Sequence, residues 1–139
     1  MRLVTFDAEP ASWRFYFSPG GGRSVLKPDA FIVVDSDEYT DDWYVEVDRG
    51  TESATRITDK ARQYVRYWQS GRDQARSGVF PGVLWVVPDD PRAEKVADAI
   101  AKLPAEHHHL FFVTTADHAA EALLGGQLRS IAAEGGASA

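Results

Sequence analysis

The chain has 139 residues, 44% of them hydrophobic and 26% charged, with a formal net charge of −6 and no cysteine. That length suits one domain with a real core, and the missing thiols exclude disulfides, thiolate metal sites and a cysteine nucleophile. No apolar run approaches the roughly 20 residues of a membrane span, and the opening MRLVTFDAEP is not a signal peptide, so the expectation is a cytoplasmic protein without a membrane partner.

In chain order, RLVTF alternates apolar and polar residues and reads as a short strand. The stretch from Glu9 to Ser36 reads as strand, turn, strand, with SPGGGRS as the turn. Its glycines invite a phosphate-loop reading, but no Lys-Ser/Thr follows and no helix opens there, so a hairpin is the better reading. DSDEYTDD is a polar connection, and WYVEVDRG is the next strand. Alternation puts Trp43, Val45 and Val47 on one face and Tyr44, Glu46 and Asp48 on the other. Thr51 or Ser53 caps a helix running to about residue 70, with Ile57, Ala61, Tyr64, Val65 and Trp68 as its apolar stripe. SGRDQARSGVFPG reads as a loop and VLWVV as a strand buried on both faces. DDPRAEKVADAIAKL is a second helix with Asp90 as N-cap and Pro91 in its first position. HLFFVTT is another buried strand, and ADHAAEALLGGQLRSIAAE is helical with a Gly-Gly break.

The predicted order is β-β-β-α-β-α-β-α, hairpins first and helical crossovers later. It implies an α/β fold with a mixed sheet of about five strands flanked by helices. Residues 1–134 form one domain and 135–139 a flexible tail.

The acidic residues crowd one hairpin. Pairing about the centre of the 35–42 connection sets Asp29 opposite Asp48, give or take one residue, with Glu46 on the same face. Two readings are open. The carboxylates are the solvated face of an ordinary hairpin, neutralised by Arg49 or Lys27, or they hold a hard cation of the Mg²⁺ or Mn²⁺ type. Basic residues concentrate just downstream, at Arg49, Arg56, Lys60, Arg62, Arg66, Arg72 and Arg76.

LKPDA, followed by YVEVDRGTES and KARQYVRYW, resembles the nuclease-like domain of the replication-relaxation proteins, a family associated with plasmids and mobile elements. Through it the sequence resembles the PD-(D/E)xK superfamily of restriction-endonuclease-like folds. The resemblance implies that Pro28 and Asp29 are the metal-binding Pro-Asp pair and Glu46 the second ligand, with Asp48 as a third candidate ligand. It also calls for lysine where this chain has Asp48. Lys60 and Tyr64, four apart on the next helix, share one side. They read K-x-x-x-Y where some exonucleases of the superfamily carry Q-x-x-x-Y, so Lys60 is expected to stand in for the missing lysine.

The implied activity is a Mg²⁺- or Mn²⁺-dependent DNA nuclease or nickase in plasmid replication or transfer, with Asp29, Glu46, Asp48, Lys60 and Tyr64 at its site. Arg49, Arg56, Arg62 and Arg66 would meet the DNA backbone. The alternative is a catalytically inactive nuclease-like fold serving as a DNA-binding or protein-interaction module. Relatives carry a winged-helix region ahead of this domain, so a separate DNA-binding domain or protein partner would choose the target.

Three signals remain outside this scheme. The run His107, His108, His109 is expected to hold no shared ion, because consecutive residues at a strand entrance point in alternating directions. Asp117 and His118 read as a helix N-terminus rather than a catalytic pair. Trp13 reads as a hairpin aromatic, with base stacking as its functional alternative.

Overall fold

A computed structural model describes residues 2–35 and 40–125 of the chain. Its centre is a five-stranded mixed sheet. In spatial order the strands are β1 (Arg2–Ala8), β4 (Ala30–Asp35), β5 (Thr40–Val47), β6 (Gly82–Val87) and β7 (Phe111–Thr115). β1, β4 and β5 are antiparallel neighbours, whereas β5, β6 and β7 run parallel. This is the mixed architecture that early hairpins and later crossovers imply.

SPGGGRS is a hairpin turn. It joins β2 (Arg14–Phe17) to β3 (Arg23–Leu26), which form a separate two-stranded sheet. Ser18 and Gly22 close the turn through N–H to C=O at 2.8 Å, and Gly21 takes φ 89°, a conformation glycine adopts without strain.

Helix α1 (Ala54–Ser70) is capped by the Ser53 hydroxyl, which accepts from the Arg56 N–H at 3.1 Å. Its buried side includes Ile57, Ala61, Tyr64 and Val65 as the periodicity predicts, while Tyr67 is more deeply buried than Trp68. The segment after it is not a plain loop. Arg72–Ser77 form a short helix, α2, whose Asp73 carboxylate accepts from Tyr44 at 2.5 Å and Tyr67 at 2.7 Å. The polar sequence hides this because the partners come from β5 and α1, far from the local pattern.

Helix α3 (Asp90–Ile100) is capped by Asp89, one residue earlier than expected, through the Arg92 N–H at 3.0 Å. Pro91 keeps its place at the start of the helix. The histidines also differ from expectation. Ala105–Leu110 form a 3-10 helix before β7, with His107 and His109 edge-on to Trp68 at 5.6 and 6.0 Å between ring centroids. Another short 3-10 turn, Ala116–His118, leads into α4 (Ala119–Gly125), and the His118 ring bonds the Thr115 hydroxyl at 2.8 Å. The Gly-Gly break begins at the end of α4, and the tail at 135–139 lies outside the described residues.

The sheet buries two apolar faces. On one, Tyr44, Val83, Trp85 and Val87 meet Ile57, Ala61 and Tyr64 of α1 and Val96, Ala99 and Ile100 of α3. On the other, Ala30, Ile32, Trp43, Val45 and Leu84 pack with Phe112 and Leu123. Each large side chain fully buried here contributes roughly 1.5–3 kcal/mol. Thr58 ties α1 to α3 by donating to the Ala99 carbonyl at 3.0 Å. Gly82 has a packing reason: a Cβ there would stand 2.6 Å from the Trp43 ring. No helix of the described residues is long and apolar enough to cross a membrane.

Candidate functional site at the end of β5

The β4–β5 ladder brings the acidic residues together in a different register from the expected one. Ala30 pairs with Val45 and Asp35 with Thr40. Carried one step past its end, the ladder sets Asp29 beside Glu46 rather than Asp48. The displacement arises because β5 begins at Thr40, inside the stretch read as a connection, where the Thr40 hydroxyl donates to Asp35 at 3.0 Å. A shift of two residues preserves the face, so Asp29 and Glu46 still meet. Asp29 is pinned there, its Oδ2 accepting from the Val47 N–H at 2.7 Å.

Glu46 points toward α1. It is only 4% exposed, and its Oε2 accepts from the Tyr64 hydroxyl at 2.6 Å. Lys60, one helical turn before Tyr64, brings Nζ to 3.5 Å from Glu46 Oε1 and donates to Glu52 Oε1 at 3.1 Å. Glu52 in turn pairs with the Arg56 guanidinium at 3.2 Å. The run Glu46, Lys60, Glu52, Arg56 is thus a continuous line of alternating charge.

Lys60 sits between two clefts. One, of about 580 Å³, is lined by Lys27, Glu46, Arg56, Lys60, Gln63 and Tyr64 among others. The second, of about 510 Å³, has Glu9, Asp29, Arg49, Thr51, Glu52 and Lys60 in its wall. The first, which Asp59 also lines, has three cations to two carboxylates, and the second has three carboxylates to two cations.

Burial drives the Glu46 carboxyl up to about 7. The Tyr64 hydrogen bond opposes this, the nearby Asp29 charge adds to it, and Lys60 offsets part of it. Burial works against the Lys60 charge, yet Glu46, Glu52 and Asp29 outweigh it and hold the ammonium above its ordinary pKa. The Tyr64 phenol is pushed well up by burial and by Glu46, so it acts as a donor and not as a base.

Asp48 has a different setting. It is also 4% exposed, but both its oxygens are taken by Arg92, at 2.7 Å from Nε and 2.6 Å from Nη2. Arg92 hydrogen bonds pull the Asp48 pKa below the usual carboxylate range against the effect of burial, and Gly50 N–H adds to that pull. Arg92 also donates to the Glu52 carbonyl at 3.2 Å. Asp48 therefore anchors residues 48–53 to α3. The fork of two Arg92 N–H donors occupies both oxygens that the expected cation-binding role of Asp48 would use. The solvated-face reading is corrected, since Glu46 and Asp48 are both buried.

The arginines divide as well. Arg49 and Arg56 line the two clefts, whereas Arg62 and Arg66 line a smaller depression of about 220 Å³ with Leu103 and His107, away from Glu46. Arg62 is paired with Asp59 at 3.2 Å on the exposed side of α1.

The model of the replication-relaxation family matches residues 1–83. The chain belongs to the replication-relaxation family. No curated protein and no solved structure matches it. Within this replication-relaxation chain the matched span includes Asp29, Glu46, Asp48, Glu52, Lys60 and Tyr64, and leaves out Arg92.

Among the described residues, no group of three or more His, Asp and Glu side chains stands ready to hold a metal ion. Mg²⁺ needs less than that, because it is commonly held by one or two carboxylates and keeps several waters. Asp29 and Glu46 are neighbouring carboxylates across the strand pair, Asp29 lining the second cleft and Glu46 the first. The Asp29 charge adds to the upward push on the buried Glu46 carboxyl, a like-charge repulsion within the pair.

Sequence reasoning missed Glu52 and Arg92. The 52, 56, 60 spacing in the helix opening carries an i, i+4 charge pattern that points to Glu52. Nothing local points to Arg92, 44 residues from Asp48.

Proposed function

We propose that this domain is a metal-dependent phosphodiesterase acting on DNA, a nuclease or nickase working in plasmid replication or transfer, with a PD-(D/E)xK-like site. The single observation that carries this reading is the Lys60 ammonium, 3.5 Å from the buried Glu46 carboxylate and between the acidic and basic clefts. The family's name and the resemblance of the Pro-Asp and Glu-Val-Asp stretches support the same reading.

Asp29 and Glu46 would hold Mg²⁺ or Mn²⁺. When bound, such an ion would polarise phosphoryl oxygens and make water a better nucleophile near neutral pH. The protein's own residues supply the rest. Lys60, half-buried between the two clefts, holds fixed positive charge where charge develops on a phosphate. Tyr64 orients Glu46 through its hydroxyl, and Glu52 restrains the Lys60 ammonium from the other side. Arg49 and Arg56 offer contacts to the neighbouring backbone phosphates.

The second reading, a nuclease-like fold that binds without cutting, is favoured by one observation: no lysine occupies the strand, and Asp48 there is neutralised by Arg92. Incubation with supercoiled and linear DNA in Mg²⁺ or Mn²⁺ separates the two. Cleavage by wild type that is lost in Asp29→Ala, Glu46→Ala and Lys60→Ala supports the enzyme. Cleavage that survives Asp29→Ala and Glu46→Ala overturns the metal site, and binding without any cleavage supports the inactive module.

A further inference from the structure

The β2–β3 hairpin has two unlike faces. Its inner face is anchored: Tyr16 meets Tyr67 edge-on at 5.0 Å, Leu26 is buried, and the Arg14 guanidinium lies over the Phe31 and Tyr44 rings at 4.8 and 5.5 Å. Arg72 of α2 holds its backbone through the Phe15 carbonyl. The outer face is open, with Phe15 53% and Phe17 69% exposed.

Register decides what shares that outer face. Phe15 pairs with Val25 and Phe17 with Arg23. One step beyond the ladder, Lys27 sits over the Trp13 ring with Nζ 4.6 Å from its centroid. Trp13, Phe15 and Phe17 therefore run along one strand, while Lys27, Val25 and Arg23 run along the other. Trp13 is held by its indole N–H donating to Glu9 at 3.0 Å, and Lys27 also lines the cleft that contains Glu46, Lys60 and Tyr64.

We propose that this outer face is a stacking platform for single-stranded nucleic acid, leading unpaired bases toward the cleft beside Lys60. Exposed rings on a rigid strand offer flat surfaces to unstacked bases, and interleaved cations meet the phosphates between them. Duplex bases are already stacked and cannot use the rings. In a chain of net charge −6, a face that combines aromatics with Arg23 and Lys27 and carries no carboxylate of its own strands is complementary to a polyanion. The platform rests on the phosphodiesterase reading for the fate of the bound strand, but its binding does not need metal.

The test is fluorescence anisotropy of a labelled oligothymidylate of about 15 nucleotides, a span comparable to known stacking sites. It is run with the full chain in EDTA, against a duplex of equal length. Wild type is expected to prefer the single strand, and Phe15→Ala/Phe17→Ala to bind it roughly tenfold or more weakly. Phe15→Trp/Phe17→Trp should restore binding. Because both rings are exposed, the alanine pair should keep its far-UV circular dichroism and melting midpoint. Binding is read in EDTA and cleavage separately in Mg²⁺, so wild type that binds the oligonucleotide but cuts no DNA overturns the catalytic reading alone, and failure of that reading leaves a different signature from failure of the platform. Equal affinity for duplex, or unchanged binding in the alanine pair, overturns the platform. So does sedimentation showing self-association of wild type that the alanine pair abolishes, which makes the face a contact between copies.

Discussion

Glu46 and Asp48 lie two residues apart at the end of β5, on the same side of the chain and equally buried, yet they have opposite electrostatic fates. Glu46 faces a phenol and a shared lysine, and burial lifts its carboxyl to about 7. Asp48 faces a guanidinium that uses both of its oxygens, and its pKa falls. Burial alone therefore does not set the chemistry of a carboxylate; the geometry of its partner does. A bidentate arginine completes Asp48, whereas Tyr64 and Lys60 share Glu46 and leave its carboxyl easier to protonate.

The largest effect should come from breaking the completed pair. Arg92→Ala leaves Asp48 buried without its partner and should cost about 3–5 kcal/mol in chemical denaturation. Arg92→Ala combined with Asp48→Asn should recover a good part of that loss. Destabilisation of less than about 1 kcal/mol in the single variant would mean that Asp48 is well hydrated once Arg92 is gone.

At the other carboxylate the loss should appear in rate. Lys60→Met is expected to lower metal-dependent DNA cleavage by about 100- to 1000-fold, the scale of removing one preorganised charge from a phosphoryl site. Asp48→Asn, with the fold verified, should lower it far less. Equal losses in kcat for the two variants would return Asp48 to the reacting group.

The pH dependence of stability sharpens the contrast. Between the Glu46 unfolded value of 4.5 and its folded value of about 7, the native protein holds a proton that the unfolded chain has released. Stability from this group therefore falls as pH rises through that window. Glu46→Gln should remove the fall and stabilise the metal-free protein at pH 8, relative to wild type, by roughly 3 kcal/mol. Asp48 works with the opposite sign: its contribution is present above its unfolded pKa and is lost as pH falls through its depressed folded value. Thermal melts of wild type and Glu46→Gln across this range, in EDTA, check the difference. Parallel curves would show that Glu46 titrates normally.

The smallest effect concerns the segment between the two sites. Ser53→Ala removes the α1 cap and should cost about 1 kcal/mol of stability. A larger loss of activity than of stability would show that the cap also aims Lys60.

Much of this arrangement was legible in the residues themselves. Alternation in β5 placed Tyr44, Glu46 and Asp48 together, and the 3.6-residue period of α1 put Lys60 and Tyr64 on one side. The register of the hairpin was less legible, because a polar stretch such as Thr40, Asp41 and Asp42 reads as loop until a partner strand pairs with it. Asp73 was hidden for the same reason, its two tyrosine partners coming from other elements.

By itself, the sequence determined that early hairpin strands give way to alternating helices and strands, and it determined the two faces of β5, because periodicity is a local property. Only the tertiary structure decided that Asp48 belongs to Arg92, that Glu52 belongs to Lys60, and that the aromatic face of the hairpin opens beside the same cleft. Those outcomes depend on crossovers that bring α3, the turn before α1 and the early hairpin to one end of the sheet. Charge and hydrogen-bond geometry then select among neighbours that no sequence spacing reveals.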